Sequence, residues 1–213
     1  MRYFWHFLTT ASLLVVFIIL FFSSSLSVKD KIFFTDDTGI TEPTITIADP
    51  VLGSPTAPVT IVNFGDYQCQ GCAELENSLI ALRSEYAEAV RIVWKDMPNT
   101  SQHVQALSAA VAAQCAGEQD KFWEYHSLLM ANQDVLGPEL YTEIATELEL
   151  KDRPFTRCLE DQSTLPLVQR GFDEGLALGI TATPTLYING ERYTGAMTTS
   201  EMRRLIEAII SAL

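Results

Sequence analysis

Two cysteines stand two residues apart in the stretch GDYQCQGCAELE, residues 65–76. Thiol pairs at this spacing do one of three things: they hold half of a metal site, staple the chain, or make and break disulfides. The preceding run VTIVNFGDY, Val59–Tyr67, is β-branched and mostly apolar, suited to a strand buried on both faces. A helix is expected from Gln70 to about Glu88, with Leu75, Leu79, Leu82 and Tyr86 on one stripe. Cys69 therefore falls where the loop becomes a helix. There its sulfur meets unpaired backbone N–H groups and the positive end of the helix dipole, which both favour thiolate over thiol. Thiolate is the attacking species in disulfide exchange. Cys72 lies about one helical turn further on, close enough to form a disulfide with Cys69, and Gly71 adds no side chain between them.

A structural zinc would need a second pair of ligands at short spacing. Cys115 and Cys158 instead lie far apart, and His103 and His126 fall on other segments. A purely structural bridge from Cys69 to Cys72 would close so short a loop that little chain entropy is removed. Exchange chemistry is the favoured reading, and the compartment bears on it.

The segment YFWHFLTTASLLVVFIILFF, Tyr3–Phe22, contains no Asp, Glu, Lys or Arg. At helical rise it spans about 30 Å, the hydrocarbon thickness of a bilayer, and Tyr3 and Trp5 suit its interface. Two export readings fit. Residues 1–28 form a signal anchor that stays as an N-terminal membrane-spanning helix, or a signal peptide is cut near SSSLS, leaving a secreted or periplasmic protein. The length of the run and the lack of an Ala-x-Ala site favour the anchor. Arg2 on one side and Lys29 and Lys31 on the other leave the orientation unsettled by charge. Both readings put the remainder outside the cytosol, where disulfides persist, and four cysteines is an even count. The formal charge of −13 argues against a nucleic-acid partner.

Residues 29–43 read as a polar tether. Residues 44–58 hold one alternating run and then a Pro/Gly-punctuated loop. AVRIVWKDM reads as a second central strand, so strand, helix and strand make a βαβ unit. Lys95 on that strand is expected to face solvent; pointing inward, it would offer the cysteine pair a positive charge. Helices follow in SQHVQALSAAVAAQCAG, DKFWEYHSLLMANQ, PELYTEIATELEL, DRPFTRCLEDQ and TLPLVQRGFDEGLALGI. TPTLYING and ERYTG form a hairpin about an Asn189-Gly190 turn, and TTSEMRRLIEAIISAL is a capped terminal helix. His103 and His126 read as packing or surface residues rather than catalysts.

Three separated motifs carry a resemblance. GSPTAPVTIVNFGDYQCQGC resembles the opening of the DsbA-like branch of the thioredoxin superfamily, the thiol–disulfide oxidoreductases of the bacterial cell envelope. HVQALSAAVAAQCAGEQDKFWEYHSLLMANQ is similar to the helical insert of that branch, and GITATPTLYINGERYTG to its substrate-loop segment. The likeness runs from about Ile47 to Leu213. It implies an α/β thioredoxin-like fold, β-α-β … β-β-α, over residues 44–213, with a multi-helix insertion at about 100–178. It implies that Cys69 is the surface nucleophile and Cys72 the resolving cysteine, with Pro184 a cis-proline facing them. The backbone of Thr183 would then pair with an extended substrate strand. No metal or organic cofactor is implied.

The implied substrates are thiols or disulfides of exported proteins, and a redox partner must reset the pair. Oxidation of thiols is the favoured direction. The alternatives are a reductase or isomerase of the same fold, and a non-catalytic tethered module that binds peptides. Some relatives carry a second disulfide in the insert, which together with the compartment favours a Cys115–Cys158 bridge over two buried free thiols. One position departs from the pattern: six residues before Cys69, many relatives carry a buried Glu or Asp, and here the residue is Asn63. An amide neither accepts the resolving thiol's proton nor repels a thiolate.

Overall fold

A computed structural model describes residues 39–212. The expected membrane span at Tyr3–Phe22 and most of the tether lie outside the described residues. Among the described residues no helix is long and apolar enough to cross a membrane.

β1 (Val51–Leu52), β2 (Val59–Gly65), α1 (Gln70–Glu85) and β3 (Val90–Asp96) come first. Five helices follow: α2 (Ala106–Gly117), α3 (Phe122–Ala131), α4 (Pro138–Glu147), α5 (Asp152–Asp161) and α6 (Leu165–Ala177). β4 (Thr185–Ile188), β5 (Glu191–Thr194) and α7 (Thr199–Ser211) close the domain. This is the thioredoxin-like order with a helical insertion. The sheet runs β1-β3-β2-β4-β5. β2 and β3 are parallel, Val59 opposite Val90 through Gly65 opposite Asp96, and β4 lies antiparallel to β2 on its other side. The alternating run at residues 44–48 forms no strand. The short edge strand comes instead from Val51 and Leu52, which pair with Val93 and Ile92.

β2 is apolar on both faces because both are covered. Val59 and Ile61 pack with Leu75, Leu79 and Leu82 of α1 and with Met202 and Ile206 of α7. Val62 and Phe64 pack on the opposite face with Met97, Leu178, Ile180 and Tyr187. The insertion has its own core, in which the alanines of α2 meet Tyr125, Leu129, Tyr141, Ile144, Phe155 and Val168. That core extends to Tyr67, Cys72 and Trp94, so the insertion packs directly beneath the start of α1. Local signals agree with these positions. Asn189 and Gly190 have φ of 46° and 87°, which a two-residue hairpin of this type requires. Thr198 and Glu201 cap α7 reciprocally.

Lys95 corrects the expectation of a solvent-facing side chain. It is buried, and its Nζ lies 2.9 Å from Asp49 Oδ1, 2.8 Å from Glu174 Oε2 and 2.8 Å from the Thr44 carbonyl. α6 brings Glu174, and residues 44–49 fold across this part of β3. Arg170 also reaches Asp49, at 2.8 Å. A buried ammonium is tolerable only with such partners. Its charge is therefore committed to this cluster rather than to the cysteine pair.

Cys115 of α2 and Cys158 of α5 are joined by a disulfide, 43 residues apart in sequence. A loop of this length corresponds to about 4 kcal/mol in the chain-entropy model, an upper figure in practice. Replacing both residues with alanine should lower unfolding free energy by about 2–4 kcal/mol. Urea denaturation of the variant and parent, with Cys69–Cys72 in the same redox state, measures the difference.

Candidate redox site

The end of β2 delivers the chain into a four-residue loop, Asp66–Cys69, which turns into α1. Cys69 occupies the N-cap position in extended conformation (φ −80°, ψ 117°). Its carbonyl accepts the N–H groups of Cys72 at 3.0 Å and Ala73 at 3.3 Å. Its own N–H donates to the Asp66 carbonyl at 3.1 Å. The insertion ties the loop from outside: the Gln133 amide donates to the carbonyls of Tyr67 (2.8 Å) and Cys69 (3.1 Å), and the Gln105 N–H donates to the Gln68 side chain.

The two thiols are free and differ in surroundings. Cys69 is half-buried, whereas Cys72 is 1% exposed. The hydrogen bond from Cys72 is the largest influence on Cys69 and stabilises its thiolate. Burial opposes it, the Thr183 side chain and the Cys72 backbone support it, and the Asp66 charge opposes it. The resulting pKa is about 6, well below the ordinary thiol value. Cys72 moves the other way: burial, then its bond to Cys69 and the Cys69 charge, hold it protonated far above the ordinary range. The Asp66 N–H, 3.5 Å from Cys72 Sγ, offsets this only in part.

The loop before β4 faces this pair. The Thr183–Pro184 peptide is cis. The Thr183 carbonyl lies 3.3 Å from Cys69 Sγ and accepts from the thiol form. Gly71 lies against the proline ring: a Cβ on it would come within 3.3 Å of Pro184 Cδ. Beside Thr183 opens a largely apolar cleft of about 450 Å³, lined among others by Met97, Asn99, Phe172, Leu176 and Ile180. The structure thus brings Cys69, Cys72, Thr183 and Pro184 together, and places Cys115 and Cys158 within the insertion, in a bond of their own.

Asn63 is buried on the face of β2 that α1 covers, and its Oδ1 has no hydrogen-bond partner among the described residues. His126 is fully buried, its Nδ1 2.8 Å from the Tyr67 hydroxyl and its ring packed against Trp94, Phe122 and Trp123. Sequence reasoning missed Asp66 and Gln133. Asp66 stands three residues before Cys69 at a strand end, where a buried carboxylate is a usable signal. Gln133 stands 64 residues away, and no local pattern marks it.

A C-x-x-C pair at the start of a helix in a βαβ frame, opposite a cis-proline, reads as a thioredoxin-like redox motif. Residues 46–208 match the family model Thioredoxin_4, described as Thioredoxin, and the chain belongs to that family. Its structural neighbours are DsbA-like thiol–disulfide oxidoreductases. Oxidised BdbD from Bacillus subtilis is similar with a TM-score of 0.71 and 24% identity, over 80% of this chain and 96% of that one. The thiol-disulfide exchange protein alpha-DsbA2 from Wolbachia pipientis gives 0.68 and 19%, over 76% and 88%. Among curated proteins, the chain is 35% identical over 164 residues to the Na(+)/H(+) antiporter NhaA 3 of Salinispora tropica, covering 77% of this chain. The chain spans about a quarter of the length of the curated relatives it matches, 24% in that case.

The pH dependence of Cys69 follows from its pKa. Alkylation of the reduced protein should rise with pH through a midpoint near 6, against about 8.5 for a free thiol. The folded value is the lower one, so the thiolate stabilises the reduced fold fully above pH ~8.5. That contribution is lost as pH falls through about 6. Iodoacetamide kinetics across pH 4–9 check the midpoint. Asn63→Asp should raise it through like-charge repulsion, and an unchanged titration of thiolate absorbance would remove the part assigned to Asn63.

Proposed function

We propose that this protein is a thiol–disulfide oxidoreductase that oxidises thiols of exported proteins at Cys69 and Cys72. The observation that carries the reading is the asymmetry of the pair: a half-exposed Cys69 with a pKa of about 6 above a buried, firmly protonated Cys72.

In the oxidised form a substrate thiolate attacks Cys69 Sγ. The Cys69–Cys72 bond breaks, Cys72 takes a proton, and a mixed disulfide forms between Cys69 and the substrate. A second substrate thiolate then attacks the substrate sulfur of that bond, and Cys69 leaves as thiolate. The substrate gains one disulfide, and two electrons pass to the pair. A low pKa makes Cys69 a good leaving group in the second step. Stabilising its thiolate also stabilises the reduced pair, which makes the disulfide the more oxidising form. A partner with a disulfide or another two-electron acceptor must then reoxidise the pair. Thr183 and Pro184 would present the extended substrate strand beside the sulfur, in the manner of strand addition.

The proposed location is the cell membrane, with the folded domain on the extracytoplasmic side and the Tyr3–Phe22 segment as anchor. The apolar length of that segment and the Cys115–Cys158 bond support it, since disulfides persist outside the reducing cytosol.

The reduction potential of the pair tests the direction. A value nearer about −120 mV than about −270 mV is expected; the reverse would assign the protein to thiol reduction. Cys69→Ser should abolish oxidation of a reduced dithiol peptide. A peptide-binding module would instead keep its full function in that variant.

A further inference from the structure

The redox chemistry above uses the cysteines, Thr183 and Pro184. It leaves unexplained a buried carboxylate in the same loop, whose charge opposes the Cys69 thiolate. The Asp66 side chain has no exposure to solvent. Its Oδ1 accepts the Gln68 N–H at 2.7 Å, and its Oδ2 accepts the Asn99 N–H at 2.7 Å and His103 Nδ1 at 2.8 Å. The backbone of the same residue touches both cysteines, accepting from the Cys69 N–H at 3.1 Å and donating to Cys72 Sγ at 3.5 Å.

An ionised carboxylate only accepts, so His103 Nδ1 carries the proton in this contact. His103 comes from the loop between β3 and α2, whose residues Asn99, Thr100 and Ser101 line the cleft beside Thr183. Its N–H and that of Gln102 both bond to the Asn99 carbonyl, which makes the loop a compact turn hung on Asp66. Cys72 from α1 and Asp66 from the β2–α1 loop are the titratable groups that bear on the Cys69 sulfur. Thr183 and Gln133, from the other segments packed here, carry no charge.

We infer that His103 is a positioning residue for the Cys69 thiolate: by donating to the buried Asp66 carboxylate, it offsets that carboxylate's negative charge and fixes the loop from which α1 starts. The inference rests on Cys69 being the exchange nucleophile. A bare carboxylate here would oppose the thiolate, whereas one that is held by two N–H groups and an imidazole N–H opposes it less. Asp66 then serves as the joint between the redox pair and the cleft wall, and His103 as the group that makes its charge tolerable.

The test titrates Cys69 thiolate absorbance in the reduced full chain, a readout that needs no exchange activity, so it stays informative even if the proposed function fails. His103→Ala should raise the Cys69 pKa by about 0.5 or more and slow alkylation below pH 6 about threefold. His103→Asn, whose Nδ2 stands where Nδ1 stood, should recover at least part of that shift. Asp66→Asn should lower the pKa, and adding His103→Ala on that background should then move it no further. A His103→Ala variant that loses thermal stability but leaves the Cys69 titration unchanged would overturn the inference, as would an equal shift with Asp66 already neutral. If Asp66→Asn does not fold, the two His103 variants decide the matter: equal shifts in Ala and Asn would overturn it.

Discussion

The structure depends on the charge of one sulfur at the start of α1. Two chemically identical side chains, one helical turn apart, are driven in opposite directions by their surroundings. Cys69 is held as the anion chiefly by its hydrogen bond from Cys72, with help from Thr183 and the Cys72 backbone and against burial and the Asp66 charge, at a pKa of about 6. Cys72 is held as the thiol because it is buried and because its neighbour takes the charge. One hydrogen bond contributes to both shifts: it is the first cause of the fall at Cys69 and, after burial, the second cause of the rise at Cys72. A pair built this way has a defined outer sulfur for substrates and a defined inner one for resolution. The asymmetry needs Cys72 dry, and the insertion, with Tyr67 and Trp94, packs around it to leave it 1% exposed.

Much of this was legible in the sequence, because it was written in local patterns. The apolar run Val59–Gly65 announced a covered strand, and both faces are covered. Asn189-Gly190 and Thr198 marked their turn and cap by residue type alone. The C-x-x-C spacing after a strand and before a helix placed Cys69 at the helix start. Lys95 departs from its sequence pattern for a physical reason. The partners that make its burial tolerable, Asp49 and Glu174, lie 46 and 79 residues away in sequence. Without them the safest place for an ammonium is water. Gln133 and the Asp66–His103 contact were missed for the same cause: each exists only because the insertion folds back on the loop.

The insertion is more than an appendage for this reason. A thioredoxin-like sheet with α1 and α7 on one face could bury Val59, Ile61 and their partners unaided. Cys72, Tyr67 and Trp94 belong instead to the core that the insertion builds. The close approach of the Trp94 indole to Gly65 shows how little room is left at that seam: a Cβ on Gly65 would clash with the ring. The insertion therefore performs two separable tasks. Its apolar interior keeps the inner cysteine dry, and its polar rim, through Gln105, Gln133 and His103, holds the loop that carries the outer one. The Cys115–Cys158 bond braces α2 against α5. That bond lies within the apolar interior, while the loop is held by hydrogen bonds at the rim. Stability of the insertion and reactivity of Cys69 are thus set by different residues, even though one cluster of side chains connects them.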